Sequence, residues 1–455
     1  MSQQVILFGA GKNAPHVLKT ISSDFVPVCF ADSDKAKQGV PFRDTEFLVF
    51  SPEEAKVRYP NASWLVTAAN VNLRQSMAES LVKKGLANNK DLVGLSTRWS
   101  CQLIETTMSP FNGQDVMVCR GGRFVNTEKM PTCKWMEADE TVDSFLELRE
   151  DMINELNTGF EKSACFGCVL LKHSFWNDEY KIRDLVLCTT KKSICNFSCS
   201  YCYAGKFGDS AYQVDNNACS FRELVAALEQ RQLISPDWTD IHFSDGEITI
   251  DPKQNELYTL ANKYKSLFYS NGSVFSEEIH ALLRSKKAIL CTSMDAGTNA
   301  TFQKIKQVDA FDMVCQNLYH YAALGGNGQI WLKYIFLPGI NDKESDFEGF
   351  INICNTINPA IVILSTDCTD GDSTAVQRDM PPEVIDKLFI LVNKLMESGH
   401  TLSMEENITF SRAERCRIYE LAEKLNANYL HRLLSILNLD QQDMNSSEEL
   451  RGVVR

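Results

Sequence analysis

The chain has 455 residues, 44% of them hydrophobic and 23% charged, which suits an ordinary globular protein of two or three domains. A net charge of −13 repels a phosphate backbone over most of the surface and argues against a nucleic-acid partner. No apolar run approaches the roughly 18 residues that span a bilayer, and the start Met1-Ser2-Gln3-Gln4 lacks a basic export signal, so a cytoplasmic protein without membrane attachment is expected. In a reducing compartment the 16 cysteines point to metal binding rather than disulfides. Several of them (Cys29, Cys188, Cys291, Cys315, Cys354) fall inside apolar patterns and read as small core residues.

Residues 3–8 read as a buried parallel strand. Gly9, Gly11 and Ala14 follow as G-x-G-x-x-A, opening a helix near Pro15. A second strand over 26–31 ends at Asp32, about 20 residues after the glycines, as a dinucleotide fingerprint requires. Glycines there let the backbone approach a phosphate, and Asp32 can accept from ribose hydroxyls. Further strands are expected at 46–50 and 63–69, then a helix over about 73–84. The alternative is a nucleotide-free scaffold of the same shape.

Strand signals fade over 106–180. Cys119, Cys133, Cys165 and Cys168 occur there as C-x13-C-x31-C-x2-C, with Cys101 as a spare thiol just before them. A helix over about 141–156 separates the two pairs, and Gly159 stops it. Four such cysteines can hold a closed iron–sulfur cluster, bind a structural zinc, or be scattered thiols.

From 181 onward strands and helices alternate regularly. The first strand, 182–189, feeds the densest cysteine stretch in the chain, Cys195, Cys199 and Cys202 at C-x3-C-x2-C. A short loop with that spacing can aim three thiolates at one four-iron cluster and leave one iron open. A zinc knuckle is the competing reading, but zinc sites usually pair C-x2-C with a second Cys or His pair. Ser220 and Glu223 form a capping box before a helix over 221–233. Five more strands are expected at 240–243, 266–269, 288–293, 329–337 and 360–365, with one long helix over about 300–324 between the fourth and fifth. Six strand–helix units suggest a parallel, partly open barrel, whose sites lie at the C-terminal strand ends. A polar loop at 366–381, an amphipathic helix to about 398, a helical stretch over 412–437 and a disordered tail from 440 complete the chain. No phosphate loop, H-E-x-x-H pair or nucleophile elbow is present, and the seven histidines are dispersed.

The three-cysteine loop, with Tyr201 before its last cysteine, resembles the signature of the radical S-adenosylmethionine (SAM) superfamily. The strand ends carry matching motifs. Ser244-Asp245-Gly246-Glu247 is similar to that family's Gly-Gly-Glu, Ser270-Asn271-Gly272 to its Thr-Asn-Gly, and Pro338-Gly339-Ile340-Asn341-Asp342 to its Pro-Gly-x-Asn-Asp. The resemblance implies a [4Fe–4S] cluster on Cys195, Cys199 and Cys202. It implies SAM contacts from Tyr201, Tyr203, Gly246, Glu247, Asn271, Ser293, Asp295 and Lys333. It further implies one-electron cleavage of SAM to methionine and a 5′-deoxyadenosyl radical that takes hydrogen from a substrate. A flavodoxin or ferredoxin would supply the electron. The N-terminal stretch resembles small Rossmann-type domains of sugar and surface-glycan enzymes, which suggests a nucleotide-linked sugar substrate. The order Cys119, Cys133, helix, Cys165, Cys168 resembles the SPASM and twitch auxiliary-cluster modules, which suggest a second [4Fe–4S] cluster and a peptide substrate.

The expected fold is therefore α/β. A Rossmann-like parallel sheet occupies 1–105 and a Cys-rich bridging segment 106–180. A partial (β/α)6 radical SAM barrel follows over 181–400, then C-terminal helices and tail over 401–455. Two other classes of function stay open: a radical-SAM activase acting on a partner enzyme, and a non-catalytic metal-binding module on a Rossmann scaffold.

Overall fold

The computed structural model describes residues 3–21, 25–43, 45–68, 71–88, 90–93, 95–110, 115–119, 131–159, 163–165, 168, 170–177, 179–188, 194–202, 219–244, 246–323, 327–366, 380–405, 412–422 and 436. The expected loop cover over 367–379 and the expected tail from 440 lie outside them. The chain divides into two compact units, one of Met1–Thr107 with Arg149–Ile182, the other of Met108–Leu148 with Arg183–Arg455.

The first unit is built on a parallel sheet of β1 (Gln3–Phe8), β2 (Phe25–Ala31), β3 (Val49–Phe50) and β4 (Ser63–Val66), ordered β3-β2-β1-β4. The apolar run of β1 is central and covered on both faces, so Val5, Ile6 and Leu7 are fully buried. One face packs Ile6 and Phe8 with Trp64, the other packs Val5 and Leu7 with Phe30. The strand expected at 46–50 shrinks to two residues because Leu48 is drawn into an antiparallel bridge with Pro41. A separate antiparallel ribbon joins β5 (Leu95–Ser100) to β9 (Lys172–Asn177), in register from Leu95 with Asn177 to Ser100 with Lys172. Beside it the buried Glu105 is paired with Arg98 and Arg149 and accepts from Ser100, so its charge is compensated.

The second unit holds seven parallel strands in sequential order. They are β10 (Asp184–Cys188), β11 (Asp240–Ser244), β12 (Lys265–Tyr269), β13 (Ala288–Ser293), β14 (Ile330–Phe336), β15 (Ile361–Thr366) and β16 (Leu402–Met404). The first six coincide with the expected strands. The seventh falls in the stretch expected to hold only helices and tail, and its Val362–Leu402 to Leu364–Met404 register adds it to the sheet edge. On the opposite edge β6 (Thr107–Pro110), β7 (Asp115–Met117) and β8 (Thr132–Lys134) continue the sheet, with β6, β7 and β8 paired antiparallel. So the cysteine-rich segment supplies strands where strand signals fade.

Helices connect the parallel strands. The helix Phe221–Gln230 opens with the expected capping box, the Ser220 hydroxyl accepting from the Glu223 N–H and the Glu223 carboxylate accepting from the Ser220 N–H. The single helix expected over 300–324 is two, Asn299–Lys306 and Phe311–Tyr321, because Gln307 turns left-handed at φ 57° and ends the first. Among the described residues no helix is long and apolar enough to cross a membrane.

Candidate active site

The cysteine loop follows β10, and its backbone is tied to its surroundings by polar groups of the chain itself. The Glu247 N–H donates to the Ile194 carbonyl (3.1 Å), Ser198 N–H to Lys306 O (3.2 Å) and Ser200 N–H to Ile305 O (2.8 Å). The end of the helix Asn299–Lys306 thus presents two carbonyls that a helix terminus leaves unpaired, and the loop satisfies them. Phe197 is buried and stands edge-on to Phe302 of that helix, ring centroids 6.0 Å apart. A cluster of Ile305, Ile335 and Leu337 underlies Tyr201.

Cys195, Cys199 and Cys202 are half-buried. Burial pushes the Cys195 thiol up, and Glu247 and Cys202 add to the shift. Burial also pushes Cys199 up, against the pull of the Lys306 ammonium, with Asp295, Cys202 and Cys195 adding to the rise. The three sulfurs therefore share one electrostatic site. Yet among the described residues no group of three or more His, Cys, Asp or Glu side chains is close enough to hold a metal ion.

At the end of β11, Glu247 is fully buried and serves as a knot between strands. Its Oε1 accepts from the Thr249 N–H (3.1 Å), the Thr249 hydroxyl (2.7 Å) and the Ser270 hydroxyl (2.8 Å), and its Oε2 from the Asn271 N–H (2.6 Å). Oε2 carries a single donor and is the less crowded of the two oxygens, so a further donor would approach there. Asn271, at the end of β12, reaches back to the loop, its Nδ2 standing 2.8 Å from Asn196 Oδ1 and 3.8 Å from Cys195 Sγ. The motif residues after β11 and β12 thus meet each other and the first cysteine. Gly246 lies in the turn that brings Glu247 inward, with φ 66°. Tyr203 and Asp245 lie outside the described residues.

Asp295 follows β13 in the left-handed region at φ 56°, an unfavoured conformation for a residue with a side chain. The surroundings hold it there. Its Oδ1 accepts from the Ile335 N–H (2.7 Å), and its carbonyl from the Asn341 amide (2.8 Å). Its Oδ2 accepts from both the Tyr201 hydroxyl and the Lys306 ammonium. Burial, then Asp295, pushes the Tyr201 hydroxyl well above its ordinary range, so the ring stays a neutral donor. Asn341 is fully buried and also holds the Leu337 N–H (2.8 Å) and the Ile335 carbonyl (2.8 Å), which fixes the Pro-Gly-x-Asn-Asp turn. Lys306 is a residue that sequence reasoning missed. It sits in an ordinary amphipathic helix, 105 positions from Tyr201, and no local pattern marks it.

Ser293 and Lys333 are register partners on β13 and β14. Lys333 is buried and bonded to Glu405 (2.6 Å), which also accepts from the Ser365 hydroxyl (2.6 Å). Glu405 follows β16 and was likewise not singled out, because the short strand that positions it carries no periodic signal.

In the first unit the glycine turn is real. Gly9 has φ 108°, and a Cβ there would lie 2.8 Å from the Thr67 hydroxyl. Gly11 accepts from the Ala14 N–H (3.3 Å), and Ala14 is fully buried. Asp32, however, is turned onto the chain. It accepts from the N–H groups of Ala10 (2.8 Å) and Asp34 (2.9 Å) and from Lys37 Nζ (3.0 Å). Burial opposes its charge, but the bonds from Asp34, Lys37 and Ala10 prevail and hold the carboxyl below its usual range. Of the other cysteine set, Cys133 lies on β8 and Cys119 just beyond β7, both in the second unit, whereas Cys165 and Cys168 belong to the first.

Residues 191–351 match the model of the radical SAM superfamily. No curated protein matches the chain. Among solved structures it is similar to SuiB of Streptococcus suis bound to S-adenosylmethionine, at 11% identity over 60% of this chain and 60% of that one, TM-score 0.38. It is also similar to SuiB bound to the precursor peptide SuiA, at 12% identity over 60% and 59%, TM-score 0.38. A radical SAM methyltransferase from Sphaerobacter thermophilus aligns at 16% identity over 48% and 65%, TM-score 0.33. The chain spans about 60% of the length of the SuiB structures. It contains a radical SAM domain, residues 191–351.

Proposed function

We propose that this chain is an enzyme that cleaves SAM reductively and uses the product to remove hydrogen from a substrate. The observation that carries the reading is the loop of Cys195, Cys199 and Cys202 inside the radical SAM match, tied by Asn271 and Glu247 to the two strand ends beside it. These three thiolates would hold a [4Fe–4S] cluster with one iron open. When bound, the cluster supplies the open iron and the single electron by which SAM yields methionine and a 5′-deoxyadenosyl radical. The chain's own residues do the positioning. Glu247 Oε2 offers a charge-assisted bond to a SAM ammonium while it keeps Asn271 in place. Asp295 and Lys306 neutralise each other beneath Tyr201, so the floor of the site is polar, preorganised and without net charge. A reduced flavodoxin or ferredoxin would provide the electron. For the glycine turn of the first unit we infer a scaffold rather than a nucleotide site, since Asp32 is turned onto the backbone of Ala10 and Asp34 and pairs with Lys37.

Anaerobically reconstituted protein given SAM and dithionite is expected to form 5′-deoxyadenosine and methionine in equal amounts, and Cys199→Ala to form neither. A wild-type protein that takes up iron yet never cleaves SAM would make it a binding module instead. Cleavage that occurs only with a partner protein, leaving a glycyl radical there, would make it an activase.

A further inference from the structure

We propose that Asp346, which bonds none of the three cysteines, is a positioning residue for the cysteine loop and acts through the helix Asn299–Lys306. The inference rests on the reading of that loop as a cluster site. Asp346 stands in the first turn of the helix Glu344–Ile357 and is fully buried. A negative charge is favoured in that turn. Its Oδ1 accepts from the Gly297 N–H (3.3 Å) and the Thr298 hydroxyl (3.0 Å), its Oδ2 from the Thr301 hydroxyl (2.9 Å). All three donors are neutral, and all three lie where the helix Asn299–Lys306 begins. Thr298 is the N-cap of that helix and accepts in turn from the Thr301 N–H (3.3 Å). The two backbones touch at the same place. A Cβ on Gly297 would overlap the Asp346 carbonyl, and one on Gly349 would overlap the Gly297 carbonyl. The start of one helix is thus keyed to the start of the other by a carboxylate and two glycines.

That key supports the loop from two directions. Gly297 follows Asp295 by two residues, so the bond to its N–H fixes the chain just after the left-handed residue that holds Tyr201 and Lys306. Beyond Thr301 the helix is only about two turns long and stiff, so a shift at its start reaches its end. Its end is where the Ile305 and Lys306 carbonyls take the Ser200 and Ser198 N–H groups, and Phe302 stands against Phe197. Stability alone does not call for a charge here. Taking a carboxylate out of water is costly, and apolar packing of similar volume often holds a fold as well or better. Three converging donors fix a direction that apolar contact leaves looser.

The test is the rate at which iodoacetamide alkylates Cys195, Cys199 and Cys202 in the full chain prepared without metal, read peptide by peptide in a mass spectrometer. Cys133 on β8 is the internal reference. Asp346→Asn sets an amide NH2 against donors, and Thr301→Val removes one donor. Each is expected to raise the loop rates about tenfold, the factor that one lost bond to a charged acceptor adds to a local opening, with Cys133 unchanged. Thr301→Ser keeps the hydroxyl and is expected to match wild type. Leu391→Ala empties a fully buried position in the helix Pro382–Glu397, which takes no part in these bonds. It is expected to lower the melting temperature and leave the loop rates alone. Wild-type loop rates in D346N and T301V would overturn the proposal, as would an equal rise in L391A. Where D346N does not fold, T301V against T301S decides. In reconstituted protein T301V is expected to change the electron paramagnetic resonance line shape of the reduced loop cluster and T301S to leave it. A T301V spectrum identical to wild type would also overturn the proposal. A wild type that takes up no iron, or never cleaves SAM, would sink the proposed function, while the alkylation rates still decide the role of Asp346.

Discussion

Replacing Lys306 by methionine removes one charge from the floor of the site and keeps the length of the side chain. Lys306 is 3% exposed and the Asp295 it neutralises is fully buried. Removing one member of such a pair strands the other charge, at a cost of about 3–5 kcal/mol. Asp295→Asn strands the ammonium and is expected to cost a comparable amount. The double variant K306M/D295N strands nothing, so its cost should fall short of the sum by about 2 kcal/mol. The loop's backbone anchor survives each change, because Ser198 bonds the Lys306 carbonyl and not its side chain. A lower iron content in Lys306→Met would then report the lost pull on the Cys199 thiol. Urea unfolding followed by circular dichroism gives the energies, and iron analysis after reconstitution gives cluster uptake. Single-variant costs below about 1 kcal/mol that add without coupling would refute the buried-pair reasoning.

A Cβ on Gly349 would lie 2.0 Å from the Gly297 carbonyl oxygen, so Gly349→Ala should lower stability by about 1–3 kcal/mol in a thermal melt. Gly328 has no atom within 4 Å of such a Cβ, and Gly328→Ala should leave the melt nearly unchanged. Asp32 has a folded pKa below its unfolded value of about 3.9. It therefore adds stability above that pH and loses it as the pH falls through the folded value, so urea midpoints from pH 7 down to 3 should fall less steeply in Asp32→Asn. Glu247→Gln must set an amide NH2 against one of the donors it now satisfies, Asn271 N–H or the Thr249 and Ser270 pair, at about 1–3 kcal/mol, with weaker SAM binding in equilibrium dialysis.

The parallel strands were legible because each is a short apolar run with turn residues at both ends, and the motifs at their ends fix where the chain reverses. β13 begins and ends at the residues expected, and the capping box at Ser220 forms as its spacing demands. The features that escaped depend on contacts between distant segments. β16 is three residues long and becomes a strand only by pairing with β15. The β5–β9 ribbon joins segments more than seventy positions apart, so no local pattern marks it. Lys306 and Glu405 look like surface charges in sequence and are taken inward by Asp295 and Lys333. Asp32 shows the converse. Its spacing from the glycines fits a nucleotide site, but spacing is silent on whether a carboxylate faces a ligand or its own turn.

The most direct measurement is the electron paramagnetic resonance spectrum of the dithionite-reduced, reconstituted protein with and without SAM, with C195A/C199A/C202A alongside to identify the signal of the loop. The account predicts a reduced-cluster signal that is absent from the variant and changes shape when SAM is added, because SAM binds at the open iron. A signal from Cys195, Cys199 and Cys202 that SAM leaves unchanged, or no iron signal from that loop at all, would contradict it.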